Sequence, residues 1–171
     1  IGLYQDNAEM YNLIAKIMVT RGDLSGAKKM LRIAVNKAPS YIDALLSLGT
    51  LLLEETNYIE ARRIFEDTLR QAPVNIDALN LTGESRLRTG DREGAIRAYT
   101  HAAELAPLDG MQQYYLGLAY ETGTDNSFLG PASDPVAAQS YYQRALKLNP
   151  DLQHAKDRLN IINKASAQKS K

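Results

Sequence analysis

An all-α array of helix–turn–helix repeats is the fold class this sequence predicts, and three observations predict it. Pro39, Pro73 and Pro107 stand 34 residues apart. The residues between them recur in the same register. Each interval also holds two runs of about 13 residues whose apolar positions fall near i, i+3, i+4 and i+7, as in amphipathic helices. A fixed period of this length describes units that bury their apolar faces only against their neighbours.

With each proline counted as position 32, the elements follow in order. Residues 1–7 occupy positions 28–34 of a unit that precedes the first full one. Ile1 and Leu3 fall where a second helix ends in apolar residues, and Asn7 is placed to cap the next helix. This stretch, which lacks an initiator Met, reads as the remnant of a preceding repeat in a longer array. Full units then run over 8–41, 42–75 and 76–109, and a fourth over 110–152 ends on Pro150. Position 8 is small throughout (Ala15, Gly49, Gly83, Gly117), as is position 20 (Ala27, Ala61, Ala95, Ala138). Small residues there let the two helices of a unit approach. Larger groups at position 24 (Leu31, Phe65, Tyr99, Tyr142) are expected to fill the space between neighbouring units.

Position 16 supplies an N-cap for each second helix: Asp23, Asn57, Asp91 and Asp134. Pro135 suits the first helical turn, where its missing N–H costs nothing. The position-32 proline stops the second helix. The fourth unit carries an insertion near 124–132, rich in Gly, Pro, Asp and Ser and therefore a loop. Residues 153–166 read as a capping helix anchored by Ala155, Leu159, Ile161 and Ile162, and 167–171 as a frayed polar tail.

These residues resemble the tetratricopeptide repeat family over about 8–152. The fourth unit keeps the family's Leu116, Gly117, Tyr120, Ala138, Tyr142, Ala145 and Pro150, and the first keeps Tyr11, Ala15, Ala27, Ala34 and Pro39. The resemblance implies a right-handed superhelical array in which first helices line a concave groove through positions 2, 5, 6, 9, 12 and 13. The implied groove residues are Glu9, Asn12 and Lys16, with Leu13, then Asp43, Leu46, Thr50, Leu53 and Glu54. Asp77, Asn80, Leu81, Glu84, Leu87 and Arg88 follow, and Met111, Tyr114, Tyr115 and Leu118, with Glu121 and Thr122, complete the set. Some members clamp acidic chaperone tails with Lys, Asn and Arg. Here Asn12 and Lys16 stand in swapped order, and Ser47, Asp77 and Leu81 replace the remaining groups, so such a tail is not the expected partner.

Charge and composition narrow the function. Twenty bases offset twenty acids, which removes bulk attraction to nucleic acid or anionic membrane. No apolar run approaches the roughly 18 residues of a spanning helix. A chain without cysteine suits cytoplasm and periplasm alike, so it reads as soluble without a chosen compartment. All six acids of the first helices fall on groove positions, whereas Lys28, Lys29, Arg32 and Lys37 on the first unit's second helix meet no acid of that helix. Two readings stand open: an acidic, partly apolar groove for a basic segment with apolar anchors, or ordinary solvated faces.

Tyr114 and Tyr115 face the groove by register and serve either contact or packing. Phe128 and Leu129 in the insertion either tuck back onto the repeat or reach for a partner. Arg86, at a position that packs apolar groups in the family, either snorkels or anchors an ion pair. Arg21-Gly22-Asp23 is a turn and a cap rather than an adhesion motif. Asn80-Leu81-Thr82 lies in a helix rather than on a glycosylated loop, and His101 and His154 read as solvated. No phosphate loop, nucleophile with base, cofactor motif or metal-ligand set is present in the sequence. The expected function is a non-catalytic scaffold that holds a segment of another protein in a multiprotein assembly. A self-associating scaffold, and the substrate-presenting part of a larger enzyme, are the alternatives.

Overall fold

The computed structural model describes residues 7–123 and 125–169, the last by its backbone alone. The remnant expected at 1–6 and the end of the tail lie outside them. Among the described residues the chain is all-α: α1 (Ala8–Thr20), α2 (Leu24–Lys37), α3 (Ile42–Glu54), α4 (Tyr58–Gln71), α5 (Ile76–Arg88), α6 (Arg92–Leu105), α7 (Gly110–Glu121), α8 (Pro135–Leu148) and α9 (Gln153–Lys169). α9 continues three residues past the end expected at 166. The chain divides into two compact units, one ending at Ser85 and the other beginning at Arg86, within α5.

The local signals act as the sequence implies, with one exception. The Gly26, Gly94 and Ala137 N–H groups donate to the carboxylates of Asp23, Asp91 and Asp134 at 2.8–2.9 Å. Asn7 accepts from the Glu9 N–H at 2.9 Å. Asn57 makes no such cap; its amide donates instead to Glu60 Oε2 at 2.7 Å. α2, α4 and α8 each end two residues before their proline, and the intervening residue is held away from the helical region by the ring that follows.

In the first unit α1 packs on α2, α3 on α4, and α2 on α3. Its core gathers Ala15, Ala27, Leu31, Leu48, Leu51, Leu52, Ala61 and Phe65. In the second unit α7 packs on α6 and α8, and α8 on α9. One second-unit core holds Leu87, Ala95, Tyr99, Leu116 and Ala119; another holds Ala138, Tyr142, Ala145, Leu152, Ala155 and Ile162.

The position-24 rings correct the sequence reading. Phe65 lies over Gly49 of its own repeat, so a Cβ on Gly49 would stand 2.3 Å from the ring. Tyr142 lies over Gly117 in the same way, at 2.4 Å. The ring therefore fills the gap left by glycine within one unit, rather than only the space between units. Shape complementarity of this kind makes position 8 intolerant of added volume.

Candidate functional site

The first-unit site is built on α1, α3 and the part of α5 that ends at Ser85. Glu9, Lys16, Asp43, Glu54 and Asp77 are exposed. Their side chains form no ion pair or hydrogen bond among the described residues. Leu46, Leu53 and Leu81 are half-buried and pack on the core, leaving part of each surface at the face. Thr50, Asn80 and Glu84 are also half-buried. Asn12 is buried, and its amide donates to the Tyr41 hydroxyl at 3.3 Å, so this side chain serves its neighbours first.

The second helices behave differently. Lys28 Nζ lies 2.6 Å from Glu55, which follows α3, and Arg32 Nη2 lies 2.8 Å from Glu60 on α4. Two of the four bases that meet no acid on their own helix, Lys28 and Arg32, are therefore compensated by the next repeat, whereas Glu9, Asp43, Glu54 and Asp77 have no partner among the described residues.

Glu54 is the exceptional charge of this face. Glu9, Asp43 and Asp77 sit in first turns, where a carboxylate also opposes the helix dipole. Glu54 is the last residue of α3, where the dipole disfavours an anion and no base stands in the last turn.

In the second unit the first-helix face is aromatic and largely turned inward. Leu87 is buried in the core, Arg88 is exposed, and Met111 and Leu118 are half-buried. Tyr115 stacks on Tyr99 with ring centroids 5.3 Å apart, and Tyr114 leans on Tyr142 at 5.7 Å and on His154 of α9 at 6.2 Å. Burial raises the Tyr114 phenol above its usual range, with Arg158 pulling against it. A second stack joins Tyr120 and Tyr141 at 5.2 Å, with Arg92 over Tyr120 and Arg144 over Tyr141.

Glu121, placed in the groove by register, is instead buried. Its side chain is 3% exposed and lies 3.3 Å from Arg158 of α9. Burial pushes its carboxyl above the usual range, against the opposing pull of the Tyr142 hydroxyl and the Arg158 guanidinium. Burial and the Glu121 charge together raise the Tyr142 phenol. The insertion closes over the same place. The Leu129 N–H donates to the Glu121 carbonyl at 2.8 Å, the Asp134 N–H donates to the Tyr120 carbonyl at 2.8 Å, and Thr122 bridges Phe128. Leu129 packs on the core, while Phe128, 41% exposed, lies beneath the Arg158 guanidinium at 5.6 Å. The insertion thus tucks back. Arg158 escaped the sequence reading, because its acid partner lies 37 residues away on another helix.

Arg86 pairs with Asp91 at 3.0 Å, and its guanidinium occupies the space a Cβ of Gly94 would need. That explains the departure at this position: an ion pair to the α6 cap replaces apolar packing.

The repeat geometry and its exposed first-helix face define a helical scaffold for protein–protein interaction. A tetratricopeptide repeat model matches residues 46–110 and 80–125, and this match together with solved structures of that fold supports a tetratricopeptide repeat protein. It is 28% identical over 166 residues to tetratricopeptide repeat protein 5 of Bos taurus, covering 89% of this chain and 38% of that protein. It is 29% identical over 94 residues to interferon-induced protein with tetratricopeptide repeats 2 of Cricetulus griseus, covering 54% of this chain and 19% of that protein. The chain therefore spans well under half the length of these curated relatives. The solved structure of MamA residues 41 to the end from Desulfovibrio magneticus RS-1 shares the fold, with a TM-score of 0.77, 22% identity, and coverage of 94% of this chain and 85% of that one. Scaffolds of this family are generally non-catalytic. No helix among the described residues is long and apolar enough to cross a membrane.

Proposed function

We propose that the chain is a scaffold whose first unit holds a basic segment of another protein, with apolar anchors seated between the charges. Glu54 carries this reading. It is exposed, lies at the unfavourable end of α3, and has no partner among the described residues, although bases on the neighbouring second helices find theirs. A partner cation offsets that cost. Asp43 and Asp77 extend the same face, and Leu46, Leu53 and Leu81 offer the apolar surface between.

The spacing refines the ligand. Glu9, Asp43 and Asp77 recur at position 2, one per repeat. Packed helices stand about 8–10 Å apart, and a polyproline II chain advances about 3.1 Å per residue and returns to the same face every three residues. A base at every third residue of a ligand in that conformation therefore keeps step with the carboxylates. The second unit, with its aromatic face closed by α9 and the insertion, serves in this reading as a rigid support.

Fluorescence anisotropy tests it. Labelled peptides with Lys at every third residue and Leu between are compared with peptides in which Glu replaces each Lys. The basic series binds, more weakly as salt rises, and loses affinity at least about tenfold against a variant with Asp43→Lys, Glu54→Lys and Asp77→Lys. Equal binding by wild type and variant would place recognition elsewhere.

A further inference from the structure

One ring of the second unit lies against an anchored cation without being needed by the turn that carries it. The Arg158 guanidinium stands 3.3 Å from the buried Glu121 carboxylate and 5.6 Å from the centre of the Phe128 ring. The Tyr142 hydroxyl faces the same carboxylate, and the Tyr114 hydroxyl faces the guanidinium. So anchored, the guanidinium offers its flat face to an aromatic ring, a contact effective to about 6 Å. In the first three repeats the N–H of position 15 donates to the position-12 carbonyl, and that of position 16 to the position-11 carbonyl. The pairs are Gly22 to Val19 with Asp23 to Met18, Thr56 to Leu53 with Asn57 to Leu52, and Gly90 to Leu87 with Asp91 to Arg86. In the fourth repeat Leu129 donates to Glu121 and Asp134 to Tyr120, so the insertion keeps both bonds, and neither uses Phe128. Leu129, at φ 51°, also takes the left-handed place of Gly22, Thr56 and Gly90. Phe128 is 41% exposed, and Asn126 and Ala132 on either side of it are left-handed as well, at φ 63° and 60°. Backbone of this kind persists only where its surroundings enforce it.

We infer that Arg158 is a binding group for an aromatic side chain of a partner protein, and that Phe128 is its built-in competitor. In the closed form the insertion lays Phe128 on the guanidinium. When a partner's ring takes that place, Phe128 turns out to water, and the Leu129 and Asp134 bonds keep the turn closed. The exchange costs little: a ring already 41% exposed gives up one cation–π contact, and the partner's ring restores one. Glu121 and Tyr114 hold the cation in place while the two rings change over. An aliphatic side chain cannot substitute, because it has no ring quadrupole to meet the charge, and tryptophan makes the strongest contact of this kind. The ligand class is therefore a protein segment that presents an exposed aromatic residue, tryptophan above all.

This inference uses none of the carboxylates of the peptide-binding reading and is tested apart from it. Nitrogen-resolved NMR of the Arg158 Nε–H group is the measurement, with N-acetyl-tryptophanamide and N-acetyl-leucinamide as probes. In wild type the Phe128 ring current shifts that signal. Phe128→Ala, at an exposed site, should remove the shift and leave helical circular dichroism unchanged. The tryptophan probe should bind Phe128→Ala about tenfold more tightly than wild type, the gain expected when a cover closed about nine-tenths of the time is taken away. Phe128→Trp should weaken the probe below wild type, and the leucine probe should leave the signal unmoved in all three proteins. The variant with Asp43→Lys, Glu54→Lys and Asp77→Lys should bind the tryptophan probe as wild type does, so failure of the peptide-binding reading leaves this inference standing. Equal binding of the tryptophan probe by wild type and Phe128→Ala overturns it. So does a leucine probe that binds as well as tryptophan, or an Arg158 signal that the tryptophan probe never moves.

Discussion

The two units share a repeat plan but treat charge in opposite ways. In the first, Glu9, Asp43, Glu54 and Asp77 of the first helices stand exposed without partners among the described residues, while Lys28 and Arg32 of α2 are paired to Glu55 and Glu60. In the second, the carboxylate that closes α7 is buried, met by a guanidinium from α9 and roofed by the insertion. Identical backbone registers thus give an outward-looking face in one unit and an inward-looking one in the other. The difference follows from what is packed on the first helix rather than from the helix itself. Glu54 and Glu121 each end their helices, yet Glu121 alone has Arg158 and the insertion above it.

The largest effects should be shared by both units and so test the common plan. Phe65→Ala and Tyr142→Ala remove fully buried rings that lie against glycines. Each should cost about 3–5 kcal/mol, the range for deleting a buried aromatic side chain. Urea denaturation with hydrogen exchange should place the first loss in α3 and α4 and the second in α7 and α8. A loss under about 1 kcal/mol at either position would mean that the ring is not the wedge described here.

How much of this was legible in the residues alone follows the range of the interactions. The caps, the turns and the small positions depend on neighbours within a few residues or on the recurring period, and both can be counted along the chain. The pairs Lys28–Glu55, Arg32–Glu60 and Glu121–Arg158 join residues 27, 28 and 37 apart. Such pairs depend on which rotamers meet across a helix interface, which periodicity does not specify. Glu121 was placed in the groove for that reason; Asn57 was expected to cap, and the residue that takes its amide, Glu60, stands only three residues on, so that miss is one of rotamer choice rather than of range. The acidic face was legible from register. That Asp43, Glu54 and Asp77 lack partners among the described residues became visible only once Lys28 and Arg32 were seen to be engaged elsewhere.

Ion pairs sharpen the contrast between units. Arg158→Ala leaves the Glu121 carboxylate buried without its cation, and should cost about 2–3 kcal/mol, below the range for a fully buried pair because Arg158 is 37% exposed. Arg32→Ala breaks an exposed pair and should cost less than about 1 kcal/mol. Comparable losses from the two variants would erase the distinction drawn here.

The pH dependence carries the same contrast. Glu121 titrates above its unfolded value because burial penalises its charge. The native state then holds more protons than the unfolded state across that interval, so this group's contribution to stability falls as pH climbs from about 4.5 toward the raised native value, and is flat beyond it. Asp125 acts with the opposite sign: Ser127 holds its carboxyl low, and what it adds is lost as pH falls below 3.8. Denaturation midpoints between pH 4 and 7 for wild type and Glu121→Gln should separate the two. The variant should lose the falling component, and an unchanged profile would show that Glu121 does not titrate as its burial implies.

The smallest effect tests a backbone difference at one repeat position. The turn between paired helices is made by Gly22 at φ 80° and Gly90 at φ 81°, but between α3 and α4 it is made by Thr56 at φ 60°. A β-branched residue in the left-handed region is held there at a cost, typically about 1–3 kcal/mol for such conformations. Glycine removes the steric part of that cost but gives the unfolded chain more freedom, which offsets some of the gain. Thr56→Gly should therefore stabilise the first unit by about 1 kcal/mol, and Gly90→Thr should destabilise the second by at least as much. Thermal melts of both variants measure this directly. If Thr56→Gly were neutral while Gly90→Thr was costly, contacts of the Thr56 side chain, rather than backbone strain, would account for threonine in the first unit.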